Sequence, residues 1–149
     1  MLGLGNPILT DDGVGIHVVR AVAERLSAAD VILAEASVGG LRLLDQIVGY
    51  DRVILVDAIQ TPDGTPGEVC RLHPGDLPTL HSGSTHDLSL RGALALGRRL
   101  GFQVPDDQKM AIVAIEVEDV LTFGEQCTPA VAAAILKAAQ IVIEEIGQE

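Results

Sequence analysis

Residues 52–59 contain the run Val-Ile-Leu-Val, in which apolar side chains occupy consecutive positions instead of alternating with polar ones. Successive side chains of a strand point to opposite faces of its sheet, so a strand with this pattern must be covered on both faces. Parallel sheets meet that requirement, because the helices that connect their strands pack against both sides. The run therefore predicts a parallel sheet inside a layered α/β fold.

The remaining chain alternates between strand-like and helix-like patterns. The turn-rich segment 61–67 is too short for a helical crossover, so the strand that follows it is predicted to be antiparallel and at an edge. We expect one domain, residues 1–149, folded as a three-layer α/β/α sandwich with a mostly parallel twisted sheet of about five strands and one antiparallel edge strand. Strands are predicted over residues 1–5, 31–36, 52–59, 68–72 and 109–116, and helices over residues 11–26, 41–48 and 85–100 and after Thr128.

The charge balance narrows the classes of partner. The 149 residues carry a formal net charge of −11, which disfavours nucleic acids and anionic membrane surfaces because both attract clustered Lys and Arg. The aromatic side chains, one Tyr and two Phe, offer no stacking platform for bases. No apolar run is long enough to span a membrane, no signal-peptide pattern is seen, and the two cysteines are isolated. We therefore expect a cytoplasmic protein that binds neither nucleic acid nor membrane.

Polar residues that suit metal coordination stand at the ends of predicted strands and at a helix start. Asp11 and Asp12 follow the first strand, Asp57 ends the apolar run, and His86 begins a later helix. Ligands of open α/β sheets bind beyond the carboxyl ends of the strands, where these side chains are expected to converge. Carboxylate and imidazole accept zinc or nickel without thiolate, so Asp12, Asp57 and His86 form a hypothetical open metal site. His17 is left out, because five helical residues rotate it about 140° away from Asp12.

Each of these positions also has a purely structural interpretation. Asp11 or Asp12 is suited to capping the first helix, and Asp57 is suited to forming a turn. A lone histidine at a helix start is more often structural than a metal ligand. The Gly-x-Gly at residues 3–5 is only a weak hint of phosphate binding, since Ile8 replaces the third glycine of the dinucleotide fingerprint.

Two further residues have more than one interpretation. Glu116 belongs either to a solvated acidic loop, together with Glu118 and Asp119, or to the edge of the cleft. Cys127, just before a proline-initiated helix, is interpreted as a buried structural thiol and not as a nucleophile. No Ser-His-Asp or Cys-His arrangement competes convincingly with the metal site.

The order of the motifs resembles that of the hydrogenase maturation endopeptidases, and the resemblance extends over essentially the whole chain. These proteases remove a C-terminal extension from the nickel-loaded large subunit of [NiFe] hydrogenases. The motifs are Gly-Leu-Gly-Asn-Pro-Ile-Leu-Thr-Asp-Asp-Gly-Val-Gly at 3–15, Val-Gly-Gly at 38–40, Ile-Leu-Val-Asp-Ala at 54–58 and Ser-Thr-His-Asp-Leu at 84–88.

The resemblance implies roles for particular residues. Asp12, Asp57 and His86 fall on the family's metal-contacting and catalytic positions, and Gly39 and Gly40 fall in a segment that contacts the substrate. The nickel is expected to arrive with the precursor of the large subunit and not to be bound permanently. Asp12 is the first candidate for the general base and Asp57 the second. A monomer is expected, because such an enzyme docks transiently onto a much larger subunit.

Two departures from the family pattern affect the predicted site. Many relatives carry Glu where this chain has Asp12, so the shorter side chain has to reach further or the metal has to lie closer. Many also carry Asp-Gly-Gly where this chain has Val-Gly-Gly at 38–40, so any substrate contact made by that acid is not expected here.

Three alternative functions are weighed against the sequence. Peptidyl-tRNA hydrolases also begin with Gly-Leu-Gly-Asn-Pro, but their Thr-Arg-His-Asn segment is absent, and a charge of −11 does not suit a tRNA-binding protein. The second alternative is a hydrolase that keeps its own zinc. The third is a non-catalytic chaperone that senses the nickel state of the large subunit.

Overall fold

A computed structural model describes residues 1–27, 29–38, 41–77 and 85–148, with the backbone alone at residues 41 and 85–89. Five strands and four α-helices are formed in this part of the chain. The strands are β1 (Leu2–Leu4), β2 (Ala34–Ala36), β3 (Val53–Ile59), β4 (Val69–Leu72) and β5 (Met110–Glu116). The helices are α1 (Val14–Ala23), α2 (Leu41–Ile47), α3 (Thr85–Arg99) and α4 (Pro129–Gly147).

The strands form one mixed sheet in the order β2-β1-β3-β5-β4. β1 is parallel to both β2 and β3, and β3 is parallel to β5 along its whole length, from Val53 opposite Met110 to Ile59 opposite Glu116. β4 lies at the edge and runs antiparallel to β5. The prediction of a mostly parallel sheet with one antiparallel edge strand is therefore confirmed.

Apolar clusters cover both faces of the sheet, which gives the three predicted layers. One cluster joins α1 and α4 to side chains of β3 and β5, including Val18, Val22, Val113, Ala138 and Val142. The other joins α2 and α3 to the opposite face, including Leu43, Ile47, Leu55, Leu94 and Ile112. Consecutive side chains of a strand enter opposite clusters, as Ile54 and Leu55 do in β3 and Ile112 and Val113 do in β5. This explains why both strands are apolar at consecutive positions, apart from Asp57 and Glu116.

Gly15 lets α1 pack directly against the sheet. A Cβ atom at this position would lie 2.3 Å from the carbonyl oxygen of Val56 and 2.5 Å from that of Leu4, so only glycine fits. The contact fixes the start of α1 against the carboxyl ends of β1 and β3. The polar residues that precede α1 are thereby held at the edge of the sheet where the predicted site lies.

The predicted helix over residues 11–26 is wrong at both ends. Thr10–Gly13 forms a 3₁₀ turn, and α1 runs only from Val14 to Ala23. Thr10 has a φ of 51°, the left-handed region that a β-branched residue rarely adopts, so the chain cannot enter an α-helix at Asp11.

No helix of the described residues is long and apolar enough to cross a membrane.

Candidate functional site

The strand order creates a crevice between β1 and β3. From β1 the chain passes through α1 to β2 on one side, and from β2 it passes through α2 to β3 on the other. Connections that leave neighbouring strands in opposite directions open a crevice at their carboxyl ends, the usual ligand site of such sheets. A cleft of about 250 Å³ lies there, lined by Leu4, Gly5, Asn6, Leu9, Asp12, Ser37, Val38, Leu43, Asp57 and Leu90.

Asp12 is held by the tight loop between β1 and the 3₁₀ turn. Its Oδ2 atom accepts a hydrogen bond from the backbone N–H of Asn6 at 2.9 Å, and its own N–H donates to the carbonyl of Leu9. Gly5 has a φ of +130°, and a Cβ atom there would lie 1.8 Å from the carbonyl oxygen of Asp12. The loop therefore closes onto Asp12 only because residue 5 is glycine.

Asp57 reaches the same cleft from β3. The paired part of β1 ends opposite Val56, so Asp57 lies just beyond the point where β1 leaves the sheet. On the other side of β3 it is in register with Ala114 of β5, and its Oδ1 atom accepts a hydrogen bond from the N–H of Ala58 at 2.8 Å. The structure thus brings Asp12 and Asp57, which are remote in the chain, to one half-buried cleft.

The other predicted site residues lie partly or wholly outside the described residues. The backbone of His86 is in the first turn of α3, as predicted, but its side chain is not described. Leu90, one helical turn later, lines the cleft. Gly39 and Gly40 lie outside the described residues, although Val38 before them also lines the cleft.

Metal coordination by three side chains stays a prediction. Among the described side chains, no group of three or more His, Cys, Asp or Glu is placed to hold a metal ion. The predicted group consists of Asp12, Asp57 and His86, and the imidazole of His86 is outside that set.

Similarity to known proteins shows which family this chain belongs to. The family model described as hydrogenase maturation protease matches residues 16–145. The chain belongs to the hydrogenase maturation protease family. The hydrogenase 2 maturation protease of Escherichia coli K12 is 30% identical over 151 residues, which cover 99% of this chain and 90% of that protein.

Solved structures of maturation proteases share the fold. The hydrogenase maturating endopeptidase HybD from Escherichia coli superposes with a TM-score of 0.79 at 28% identity, covering 99% of this chain and 90% of that one. The solution structure of an endopeptidase from Escherichia coli gives a TM-score of 0.83 at 30% identity, over 97% and 89% of the two chains. This maturation protease is therefore a hydrolase, and the predictions of family and enzyme class are confirmed.

The sequence suggests that Asp11 caps the first helix, and its contacts differ from that role. It is completely buried and does not line the cleft. Its Oδ2 atom accepts hydrogen bonds from the N–H groups of Glu118 and Asp119, and its Oδ1 atom accepts from the N–H of Thr128 at 2.7 Å. The interpretation of Asp11 as a cap of α1 is wrong, because it binds Thr128, the N-cap residue of α4.

Glu116 stabilises a turn and is not part of a solvated loop. Only 5% of its surface is exposed, and its carboxylate accepts hydrogen bonds from the N–H and the hydroxyl of Thr61. A Cβ atom at Gly64 would lie 2.0 Å from this carboxylate, which shows how closely the turn packs against it. Glu116 does not line the cleft, so the prediction of a cleft-facing role is not supported. The solvated interpretation is wrong as well.

Cys127 does not have the properties of a protease nucleophile. Burial, and to a lesser extent the charge of Asp11, raises the pKa of its thiol to about 11. The Sγ atom lies 3.8 Å from the carbonyl oxygen of Thr10. Since the thiolate is the nucleophilic form of cysteine, this half-buried thiol supports the structural interpretation.

His17 is separate from the cleft, as its helical position predicts. Burial lowers the pKa of its imidazole, and the nearby Arg20 acts in the same direction. Its Nε2 atom is buried without a hydrogen-bond partner among the described residues. The residue does not line the cleft that contains Asp12.

Proposed function

We propose that this maturation protease removes the C-terminal extension from the precursor of a [NiFe] hydrogenase large subunit and recognises the nickel that the precursor carries. The observation that supports this proposal is the meeting of Asp12 and Asp57 in one cleft at the carboxyl ends of β1 and β3. The names of the similar proteins indicate that the substrate is a hydrogenase. The two carboxylates in the cleft support recognition of a metal ion.

The charge of the cleft favours a cation as part of the substrate. Asp12 and Asp57 are its ionisable lining residues, and no Lys or Arg is among the described residues that line it. Two carboxylates close together repel each other unless a positive charge lies near them. A nickel ion delivered with the substrate supplies that positive charge. A precursor without nickel does not. Recognition of the nickel-loaded form follows from this difference.

The donor atoms suit nickel. Two carboxylates and one imidazole form a set that nickel accepts, and the positions left open on the ion remain available to the groups that hold it in the precursor. Asp12 and Asp57 come from the described cleft. His86 is assigned as the third ligand because its backbone lies one turn before Leu90, and residues four apart share one face of a helix.

Asp12 is the better candidate for the general base. One of its oxygens is held by the N–H of Asn6, while Oδ1 accepts no hydrogen bond from the described residues. That oxygen is available to take a proton from the water that attacks the scissile carbonyl carbon. The proton then passes to the nitrogen of the leaving peptide, so the peptide bond is hydrolysed without a covalent intermediate. A metal ion next to the bond lowers the pKa of the attacking water or polarises the carbonyl.

Gly39 and Gly40 are proposed to contact the substrate backbone. The segment that precedes them borders the cleft, where the hydroxyl of Ser37 donates a hydrogen bond to the carbonyl of Gly5 at 2.8 Å. This bond joins the end of β2 to the loop that carries Asp12. Residues without side chains next to such a junction let an extended peptide approach the two carboxylates.

The decisive experiment is intact-mass spectrometry of the precursor large subunit after incubation with the purified protease. We expect loss of one C-terminal peptide from the nickel-loaded precursor and no mass change in the nickel-free precursor. Asp12→Asn, Asp57→Asn and His86→Ala are each expected to abolish cleavage. Asp63→Asn, which changes an exposed aspartate in the turn after β3, is the matched control and should cleave as the unchanged protein does.

Each alternative gives a different result in the same experiment. Equal cleavage of the nickel-free precursor contradicts nickel recognition. Binding of the precursor without any mass change indicates the chaperone function. Stoichiometric zinc in the purified protease, together with loss of activity after its removal, indicates a resident metal. Cleavage by the His86→Ala variant contradicts the assignment of His86 as the third nickel ligand, but it is compatible with the proposed hydrolysis.

A further inference from the structure

Two paired backbone segments at the cleft residue Leu9 carry three exposed apolar side chains, named the rim patch: Ile8, Leu121 and Phe123. Leu121 is 85% exposed, Phe123 is 80% exposed and Ile8 is 48% exposed. Large apolar side chains exposed to this degree are common singly, but a group of them beside a binding cleft marks an interaction surface. The patch therefore needs a function of its own.

Backbone pairing places two members of the rim patch, Ile8 and Phe123, side by side. Gly124 donates its N–H to the carbonyl of Ile8 and accepts from the N–H of Thr10, which makes a parallel bridge between Leu9 and Gly124. The residues one position earlier, Ile8 and Phe123, are then neighbours across the bridge. Leu9 itself lines the cleft, so Ile8 and Phe123 belong to backbone segments that border the cleft.

The loop that carries Leu121 and Phe123 is held rigidly although its side chains are exposed. The Oδ1 atom of Asp119 accepts hydrogen bonds from the N–H groups of Leu121 and Thr122. The hydroxyl of Thr10 donates to the carbonyl of Thr122, and Asp11 holds the N–H of Asp119. A loop fixed at so many points loses little further conformational entropy when a partner binds its apolar side chains.

The size of the cleft explains why a second contact surface is required. A cavity of about 250 Å³ accommodates the residues around one peptide bond. A specific protein–protein contact buries roughly 800 Å² on each partner. If the substrate is a folded protein, most of its contact area must lie outside the cleft, on surface adjoining it. The rim patch offers exposed apolar surface on the segments that border the cleft.

We propose that the rim patch is the docking surface for the protein substrate, an inference that rests on the proposed function. The complementary surface of the substrate presents apolar side chains flanked by Lys or Arg. The apolar part matches Leu121 and Phe123, and the basic flanks match Glu118 and Glu125, which are exposed and flank these two residues in the sequence. A net charge of −11 on the protease favours the same partner charge at longer range.

The chain provides a matched control for this surface. Leu100 and Phe102 repeat the Leu-x-Phe spacing of Leu121 and Phe123 and are also exposed, at 60% and 50%. They follow the end of α3, at the opposite end of that helix from the cleft residue Leu90. Changing either pair to serine removes one leucine and one phenylalanine side chain from the surface, so both variants have the same change in composition.

The test compares cleavage kinetics of the L121S/F123S and L100S/F102S variants on nickel-loaded precursor. We expect KM to rise about fivefold or more in L121S/F123S with kcat nearly unchanged, because docking residues contribute to binding and not to the chemical step. L100S/F102S should match the unchanged protein. A KM for L121S/F123S within about twofold of the unchanged protein overturns the docking surface.

A binding titration keeps this inference separate from the proposed function. The Asp12→Asn protein, with and without L121S/F123S, is titrated with precursor, and the patch substitutions are expected to weaken binding whether or not cleavage occurs. Unchanged affinity overturns the docking surface even if the protease cleaves. Concentration-dependent dimerisation that L121S/F123S abolishes, with KM unchanged, assigns the patch to a second copy of the chain and also overturns the proposal.

Discussion

The carboxylate of Asp11 binds the N–H of Thr128 at 2.7 Å and its hydroxyl at 2.8 Å, joining two residues that are 117 positions apart in the chain. Asp11 precedes the cleft residue Asp12, and Thr128 is the N-cap of α4. The same carboxylate holds the start of the loop that carries Leu121 and Phe123. The cleft, the rim patch and the last helix are therefore fixed relative to one another by one buried side chain.

Asp11→Asn is expected to destabilise the fold by about 3 kcal/mol, because an amide NH₂ replaces one acceptor oxygen and leaves buried N–H groups without a partner. Urea unfolding followed by circular dichroism measures the change. Asp12→Asn is the control next to it in the chain. It is half-buried with one hydrogen bond from Asn6, so its free energy of unfolding should fall by less than about 1 kcal/mol. Equal destabilisation by both substitutions would contradict the role of Asp11.

Gly5→Ala is expected to abolish cleavage while most of the fold is retained. The added methyl group would overlap the carbonyl oxygen of Asp12, so the loop must move and carry Asp12 with it. Gly49→Ala is the matched control, because Gly49 also has a positive φ, of +90°, but no atom within 4 Å of an added Cβ. In both variants the positive φ of the substituted residue lowers the stability by at least about 1 kcal/mol, but only Gly5→Ala should lose activity. Retained activity in Gly5→Ala would show that the loop does not position Asp12.

Local sequence patterns were sufficient to predict the layers and the position of the cleft. The apolar runs of β3 and β5 require cover on both faces, and the short turn-rich segment before β4 requires an antiparallel strand. These rules depend on neighbouring residues, so they are readable in one sequence. The position of Asp57 at the carboxyl end of β3 follows from the same periodicity.

The contacts between distant segments were not predictable in this way. Nothing near Asp11 indicates that its partners are Glu118, Asp119 and Thr128, since a capping aspartate and a buried one have the same local sequence. The left-handed backbone at Thr10, which shortens α1, is likewise stabilised by the distant Thr122 and Gly124. Side-chain roles that depend on tertiary contacts require the fold before they are visible.

The two cysteines are expected to differ in reactivity. Cys70 is exposed, whereas Cys127 is half-buried with a pKa of about 11, so about one thiol in a thousand is ionised at pH 8. Iodoacetamide at pH 8 should therefore modify Cys70 well before Cys127, as peptide mass mapping will show. Cys127→Ser should keep its cleavage activity. Loss of cleavage in Cys127→Ser with an unchanged melting temperature would instead indicate a nucleophilic thiol.

Glu145 is expected to make stability depend on pH below about pH 5. This carboxylate is 4% exposed and lies between the guanidinium groups of Arg71 and Arg52. The hydrogen bonds from Arg71 hold the pKa of Glu145 below its ordinary value of 4.5, and Arg52 acts in the same direction against the effect of burial. A carboxyl whose folded-state pKa is lowered stabilises the fold above its unfolded-state pKa, and that stabilisation disappears as pH falls through the folded-state pKa.

Glu145→Gln should lower the free energy of unfolding by about 2 kcal/mol at pH 7, since the half-exposed Arg71 is partly screened by solvent. The difference between the unchanged protein and this variant should shrink as pH falls below about 4.5, because protonation of Glu145 removes the same ion pairs. Urea unfolding between about pH 7 and pH 3 measures it. Glu144→Gln, at the exposed neighbouring position, should show a small difference at every pH. A Glu145→Gln difference that stays constant over this range would mean that packing, and not charge, accounts for the stabilisation.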